Sequence, residues 1–185
     1  ALVVYFSWSG NTENVAKAIQ SQTDSDIFEI VPATPYSDDY NTVLDVAREE
    51  QRSNARPAIS GSIENIEQYD VIYVGFPNWW GDMPMILYSF FDEYDFSGKT
   101  IILFNTHGGS GFSGTISTIK ELEPNAEVLD GKSISRNDIQ DAEQEIVDWV
   151  NSLDLKQAEE QPDSSAEAQQ PTMGRFLYLC RFGYE

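Results

Sequence analysis

The chain has 185 residues, 41% of them hydrophobic, which is enough apolar material for the core of one domain. Its formal charge of -20 would repel nucleic acid and anionic membrane surfaces and favours basic proteins as partners. With Cys180 as the single cysteine, an intrachain disulfide is excluded. No apolar run is long enough for a membrane span, so we expect a soluble cytoplasmic protein, with a monomer favoured. The chain starts directly at a strand, which leaves open an export segment removed from the N-terminus.

Strand and helix patterns alternate along most of the chain. Short runs rich in Val, Ile, Tyr and Phe predict strands over residues 2–6, 27–31, 71–76 and 100–105, with a short fifth strand at residues 128–129. Apolar residues at helical spacing predict helices over residues 14–20, 40–52, 83–94, 115–122 and 138–153. This alternation predicts an α/β domain in which helices cover both faces of an open parallel sheet.

The composition changes after Leu155. Residues 156–172 are rich in Gln, Glu, Ser, Ala and Pro, as in flexible linkers, whereas residues 173–185 are aromatic again. We therefore expect a domain over residues 1–155, followed by a linker and an aromatic tail over residues 156–185. Two interpretations of the aromatic tail stay open: it packs on its own domain, or it is a docking peptide for a partner.

The loop that follows the first predicted strand has the composition of an anion site. It reads Ser7, Trp8, Ser9, Gly10, Asn11 and Thr12 and leads directly into a helix. In open parallel sheets ligands bind beyond the carboxyl ends of the strands, and a helix start offers unpaired N–H groups to an anion. The hydroxyl groups add donors, and Gly10 lets the backbone approach a ligand closely. A phosphate site is predicted, with a serine-rich helix cap as the alternative.

The same six residues match the Ser/Thr-x-Ser/Thr-Gly-x-Thr loop with which flavodoxins hold the phosphate of FMN. Two later stretches, "GFPNWWGDMP" at 75–84 and "NTHGGSG" at 105–111, resemble the flavin-contacting loops of a bacterial short-chain flavodoxin subgroup. The resemblance extends over residues 1–153. It implies a flavodoxin-like, doubly wound sheet of five parallel strands in the order 2-1-3-4-5 that binds FMN without a covalent link.

The second and third loops supply the remaining candidate cofactor-binding residues. A flat flavin ring needs apolar walls, and the indoles of Trp79 and Trp80 offer rigid stacking faces. We expect one indole to contact the flavin and the other to pack behind it, and the sequence does not distinguish them. The candidates in the second loop are Pro77, Asn78, Trp79, Trp80, Gly81 and Asp82. In the third loop Thr106, His107, Gly108 and Gly109 are expected to offer donors and acceptors to the polar edge of the ring, with a plain loop residue as the alternative for His107.

These residues are compatible with three functions. The leading one is an electron carrier that shuttles low-potential electrons between redox partners, for which no catalytic residue is needed because the flavin supplies the chemistry. The alternative is an FMN-dependent oxidoreductase that passes a hydride from NAD(P)H to a quinone. Strong acidity, suited to basic redox partner proteins, and the lack of a recognisable nicotinamide motif favour the carrier. A flavin-free interaction domain is disfavoured by the intact phosphate loop. No metal site is expected, since one histidine and one cysteine cannot form the usual zinc centres.

Overall fold

The computed structural model describes residues 1–153 and Leu155. Its strands are β1 (Leu2–Tyr5), β2 (Asp26–Glu29), β3 (Val31–Pro32), β4 (Ile59–Ser60), β5 (Val71–Pro77), β6 (Thr100–His107) and β7 (Glu127–Ser135). Its α-helices are α1 (Asn11–Thr23), α2 (Tyr40–Ser53), α3 (Met85–Glu93), α4 (Thr115–Leu122) and α5 (Glu143–Ser152). Two short 3-10 helices lie at Ile66–Gln68 and Ile139–Asp141.

Five of the strands form one parallel sheet in the order β2-β1-β5-β6-β7. Counted within this sheet alone, the order is 2-1-3-4-5, so the predicted fold class is confirmed. The remaining strands, β3 and β4, pair antiparallel with each other outside the main sheet. The chain therefore reverses its winding direction beside β1, which is where α/β sheets of this kind bind ligands.

The three central strands are buried on both faces. Residues 2–5, 72–76 and 101–106 of β1, β5 and β6 are buried without interruption. Continuous burial is the behaviour of parallel strands covered by helices on both sides, and it explains why these runs are apolar rather than alternating. The rigid centre of the sheet thus holds the carboxyl ends of β1, β5 and β6 side by side, and the three predicted site loops leave from those ends.

The fifth strand of the sheet is much longer than the predicted pair of residues. It runs over Glu127–Ser135 and pairs with β6 on both sides of a bulge between Ile102 and Phe104. At the bulge, β6 and β7 approach each other so closely that a Cβ on Gly131 would overlap the carbonyl oxygen of Leu103. The expectation of a two-residue strand was wrong because an edge strand carries polar residues, and because the glycine that permits the bulge resembles a turn.

Other element boundaries also differ from the predictions. The predicted helix over residues 138–153 begins as the 3-10 turn Ile139–Asp141, and only then does α5 follow. The predicted strand over residues 27–31 ends earlier, and Val31 belongs to the small hairpin with β4. Helix α1 extends beyond the predicted range at both ends. These differences lie at element ends, where hydrogen bonding rather than apolar spacing decides the boundary.

The predictions about residues 156–185 lie outside the described residues. Within the described part, no helix combines the length and the apolar character needed to cross a membrane. The same part contains no group of three or more His, Cys, Asp or Glu side chains arranged to hold a metal ion.

Candidate functional site

A cavity of about 580 Å³ opens where the carboxyl ends of the central strands meet. The three predicted loops all contribute to its wall, through Trp8, Ser9, Asn11, Pro77, Asn78, Trp79, Trp80, Thr106, His107 and Gly108. The other six candidates are not part of the wall: Ser7, Gly10, Thr12, Gly81, Asp82 and Gly109. The structure thus brings the three loops together at one cavity, with some of their residues on its wall and the others away from it.

Five wall residues were not among the sequence candidates. Tyr40, Val43, Leu44 and Ala47 come from α2, and Arg136 follows β7. The apolar spacing over residues 40–52 predicts a helix, but no local pattern shows that this helix also lines a cavity. Arg136 carried no signal, because its place at the cavity depends on the unexpected length of β7.

The first loop leaves the start of α1 available to a ligand. Gly10 precedes the helix with φ of 86°, and within the described residues no side chain caps the first turn. The hydroxyl of Ser7 accepts a hydrogen bond from the N–H of Gly10 at 3.1 Å, which tightens the loop. Gly10, the residue that precedes the first turn of α1, makes no side-chain cap hydrogen bond. Asn11, the first residue of α1, lines the cavity together with the exposed Ser9, and the first N–H groups of a helix have no partner within the helix.

Thr12 fixes the first loop to the third from behind the wall. Its side chain is buried at 1% exposure, and its hydroxyl is hydrogen-bonded to the hydroxyl of Thr106 at 2.8 Å. Thr12 lies at the start of α1 and Thr106 lies near the end of β6, so the pair joins two chain segments 94 residues apart. The position of Thr12 indicates that it holds the loop in place, while Ser9 and Asn11 face the cavity.

The second loop is a tight hairpin turn with unusual backbone angles. Trp79 and Asp82 exchange backbone hydrogen bonds of 2.8 and 3.1 Å, and the two residues between them have φ of 55° (Trp80) and 80° (Gly81). Two consecutive positive φ values are typical of a type I′ turn. A tryptophan rarely adopts this conformation, so the surrounding structure has to hold it.

Hydrogen bonds within the loop and to α2 and α3 hold this turn. The amide oxygen of Asn78 accepts from the Gly81 N–H at 3.1 Å, and the indole N–H of Trp80 donates to the Leu44 carbonyl at 3.0 Å. The carboxylate of Asp82 accepts from the Tyr88 hydroxyl at 2.7 Å and from the Met83 N–H at 2.8 Å. Burial and the bond to Asp82 raise the pKa of Tyr88, so its hydroxyl stays a donor. Asp82 therefore supports the turn rather than the wall of the cavity.

The two adjacent tryptophans occupy different environments. Trp79 is half-buried and meets Phe6 and Tyr36 edge to face, with ring centroids 5.4 Å apart in each pair. Trp80 is 45% exposed, and the guanidinium carbon of Arg48 lies 4.7 Å from the centroid of its ring. Both line the cavity, but Trp79 is anchored in the core whereas Trp80 presents an accessible indole face.

The third loop is shaped by its own hydrogen bonds. His107 accepts the Gly109 N–H on Nδ1 at 2.8 Å, which curls the loop back on itself. The carbonyl of Gly111 accepts from the side-chain amides of Asn78 and Asn105, at 2.8 and 2.7 Å. Asn78 thus ties the second loop to the third. Gly109 and Gly111, with φ of 139° and 59°, adopt backbone angles that favour glycine.

Arg136 packs against this third loop at the cavity. Its N–H donates to the His107 carbonyl at 2.8 Å. Its guanidinium carbon lies 3.6 Å from the point where a Cβ on Gly108 would stand. A positively charged side chain therefore lies beside the backbone that was predicted to meet the polar edge of the ring.

The sequence of this chain matches that of a known protein family. The family model described as Flavodoxin matches residues 1–153. "Flavodoxin 1" of Shigella flexneri is 28% identical over 137 residues, which cover 69% of this chain and 64% of that protein. The chain thus matches just under two thirds of the length of such curated relatives.

Solved structures agree in fold. A candidate flavoprotein from Bacteroides eggerthii superposes with a TM-score of 0.72 and 30% identity, covering 84% of this chain and 98% of its own. A Lactobacillus acidophilus flavoprotein solved in complex with FMN has a TM-score of 0.63 and 24% identity, covering 76% of this chain and 95% of its own. At 24% identity, the similarity to the Lactobacillus acidophilus flavoprotein concerns the fold alone.

Proposed function

Since the chain belongs to the flavodoxin family, we propose that its cavity binds FMN and that it carries electrons between redox proteins. The observation that supports this most directly is the meeting, in one cavity, of an uncapped helix start, an accessible indole and a polar loop. FMN has a phosphate, a flat ring and a polar ring edge, so the residues present fit each of its parts. The Lactobacillus flavoprotein with FMN shares the fold and is consistent with this assignment.

The phosphate end of the cavity is assigned to the first loop. Ser7, Trp8, Ser9, Gly10, Asn11 and Thr12 are the residues proposed to form it. Ser9 and Asn11 lie on the wall, and the N–H groups at the start of α1 provide donors with the positive end of the helix dipole. Hydrogen bonds to a charged group contribute about 1.5–3 kcal/mol each, so a phosphate is held here without lysine or arginine in the loop.

The ring end is assigned to the second and third loops and α2. Trp80 offers its face to the ring, and Val43 and Leu44 add apolar surface on the same wall. Trp79 packs behind, with its ring fixed by Phe6 and Tyr36. The backbone of Thr106, His107, Gly108 and Gly109 is proposed to meet the polar edge, while Pro77, Asn78, Gly81 and Asp82 shape the turn.

Electron carriage requires little further from the protein. Bound FMN supplies chemistry in steps of one or two electrons, and the protein sets its binding, orientation and potential. The net charge of -20 favours encounter with basic partner proteins through long-range attraction. We also propose that residues 1–155 are sufficient for FMN binding, since the family match and the cavity lie within them.

Purification followed by visible spectroscopy tests this function. The carrier predicts a flavin spectrum with FMN in one-to-one ratio, reduction by dithionite, and negligible oxidation of NADH or NADPH with or without a quinone. Rapid NADPH oxidation coupled to quinone reduction would establish the oxidoreductase instead. Failure of added FMN to bind would contradict both.

A further inference from the structure

A second cavity, the Glu50 cavity, has a volume of about 440 Å³ and shares no wall residue with the cavity assigned to FMN. Helix α2 contributes Val46 and Glu50 to its wall, and the rest of the wall comes from residues 34–37 and 55–58. Tyr36 links the two cavities. It lines the Glu50 cavity, and its ring meets that of Trp79, on the wall of the FMN cavity, edge to face with centroids 5.4 Å apart.

The carboxylate of Glu50 has no cation as its partner in the described part of the chain. The hydroxyl of Tyr36 donates to Oε2 of Glu50 at 2.8 Å, and the ion pairs formed there all involve other carboxylates. A carboxylate can accept about four hydrogen bonds, so most of this capacity is available to groups from outside the chain. Burial raises the pKa of Glu50, because its charged form has lost hydration without gaining a cation.

Arg56 also lies on this wall, but its charge is used by other groups. Its Nε donates to the carboxylate of Asp92 at 2.5 Å, and its Nη1 donates to the carbonyl oxygens of Asn54 and Ala55 at 3.2 and 3.1 Å. Asp92 therefore neutralises Arg56. The negative charge of Glu50 is left uncompensated on the wall, which favours a cation as the occupant of the cavity.

The shape of the remaining wall favours a cation with an apolar stem. Much of this wall is apolar, with contributions from Pro35, Val46, Ala55, Pro57 and Ala58. A lysine side chain buries its four-carbon stem against such a surface and presents a compact charge at its end. Arginine fits less well, because its planar fork favours both oxygens of a carboxylate and one oxygen of Glu50 already accepts from Tyr36.

We propose that the Glu50 cavity binds a lysine side chain of a basic partner protein, with the ammonium group on the Glu50 carboxylate and the stem against the apolar wall. A protein is the favoured source, because the net charge of -20 attracts a highly basic partner more strongly than a free amine. This site goes beyond the proposed function, since it needs no FMN. The Tyr36 ring would lie between the bound lysine and Trp79, so the partner would be held close to the FMN cavity.

The first test measures the Kd of a short acetylated peptide with one lysine between glycines, titrated into the full chain and followed by backbone amide NMR. Amide signals of residues 34–37 and 55–58 should shift. Glu50→Gln keeps an oxygen for the Tyr36 hydroxyl but removes the charge, so the Kd should rise about tenfold. The matched control is Glu49→Gln, which removes the same charge from an exposed neighbour off the wall and should change the Kd less than about twofold.

A second pair of variants fills the site from within the chain. Val46→Lys places an ammonium group four residues before Glu50 on α2, where the two side chains can pair along the helix. Peptide binding should then weaken about tenfold, because the carboxylate is already occupied. Asn41→Lys adds the same charge to α2 at an exposed position off the wall, and it should change the Kd less than about twofold.

Several results would overturn this site. Equal losses in Glu50→Gln and Glu49→Gln would show general attraction rather than a defined cavity. An unchanged Kd for the peptide with norleucine in place of lysine would exclude a role for the charge, and tighter binding of the arginine peptide would exclude the preference for an ammonium group. Butylamine that binds as tightly as the lysine peptide would favour a free amine over a protein side chain. None of these titrations requires FMN, so a failure of the proposed function would be seen separately.

Discussion

The two ends of the cavity use their polar groups in opposite ways. At the first loop, Ser9 and Asn11 line the cavity, and within the described residues no side chain caps the first turn of α1. At the second loop, the polar groups of Asn78, Trp80 and Asp82 are hydrogen-bonded to the protein. Donors of the first loop are available to a ligand, whereas the polar groups of the second loop stabilise an unusual backbone turn.

The difference follows from what each end has to recognise. A phosphate is recognised by donors, so unpaired N–H groups are the recognition surface. A flat ring is recognised by a flat surface, so the polar groups serve to place Trp80 at a φ that tryptophan rarely adopts. Substitutions in the first loop should therefore change ligand affinity. Substitutions of the residues that support the second loop should mainly change the free energy of unfolding.

The largest expected effect comes from the anchored tryptophan. Trp79→Ala should lower the free energy of unfolding of the FMN-free protein by about 3 kcal/mol, because the contacts with Phe6 and Tyr36 are lost. Trp80→Ala should change that free energy by less than about 1 kcal/mol, since its ring is 45% exposed. Urea unfolding measures both. Equal destabilisation by the two variants would show that Trp79 is no more firmly packed in the protein than Trp80.

Removing a hydrogen-bond donor from the first loop should weaken FMN binding and leave the free energy of unfolding unchanged. Ser9→Ala should weaken FMN binding by about 2 kcal/mol, or roughly thirtyfold, and leave the free energy of unfolding unchanged, because Ser9 is exposed and lies on the wall. Ser110→Ala is the matched control: it is an exposed serine in the third loop that is not on the wall. Similar losses in both variants, measured by fluorescence quenching, would contradict the assignment of the phosphate end.

The carboxyl group of Glu123 should make the stability of the protein depend on pH. Burial first, and then the charges of Asp95 and Asp92, raise the pKa of Glu123 from 4.5 to about 7. The folded state thus holds a proton that the unfolded state releases at lower pH, so stability is lost as the pH rises from about 4.5 through about 7. With solvent screening the loss is about 1 kcal/mol.

Glu123→Gln should abolish this part of the pH dependence. Urea unfolding at pH 5 and pH 8 should show the variant more stable than wild type at pH 8 and closer to it at pH 5. FMN affinity should stay the same, because Glu123 does not line the cavity. An unchanged pH dependence would mean that the charge of Glu123 is tolerated in the folded protein.

The smallest expected effect concerns the C-terminal stretch. Ending the chain after Leu155 should leave the Kd for FMN and the flavin spectrum unchanged, because the strands and the cavity wall of the described part all precede that residue. Titration of both proteins with FMN measures this. Loss of folding on truncation would show instead that residues 156–185 complete the domain.

The sequence predicted the parts of the molecule that depend on local pattern. Continuous apolar runs located the three central strands of the sheet, and the rule that parallel strands end at one edge predicted that the three loops would meet. The length of β7 was missed because it depends on the close approach of Gly131 to Leu103. The roles of Trp79 and Trp80 depend on Phe6, Tyr36 and Leu44, which are distant in sequence. Arg136 reaches the cavity only because β7 is long.

The most direct test of the central claim compares the affinities for FMN and riboflavin, which differ only in the phosphate. If the first loop is a phosphate site, several charge-assisted hydrogen bonds are lost with riboflavin, and its Kd should be at least about a hundredfold higher. Both Kd values follow from quenching of flavin fluorescence on titration with the FMN-free protein. Equal affinities would contradict the assignment of residues 7–12 as the phosphate site, and with it the account of the cavity given above.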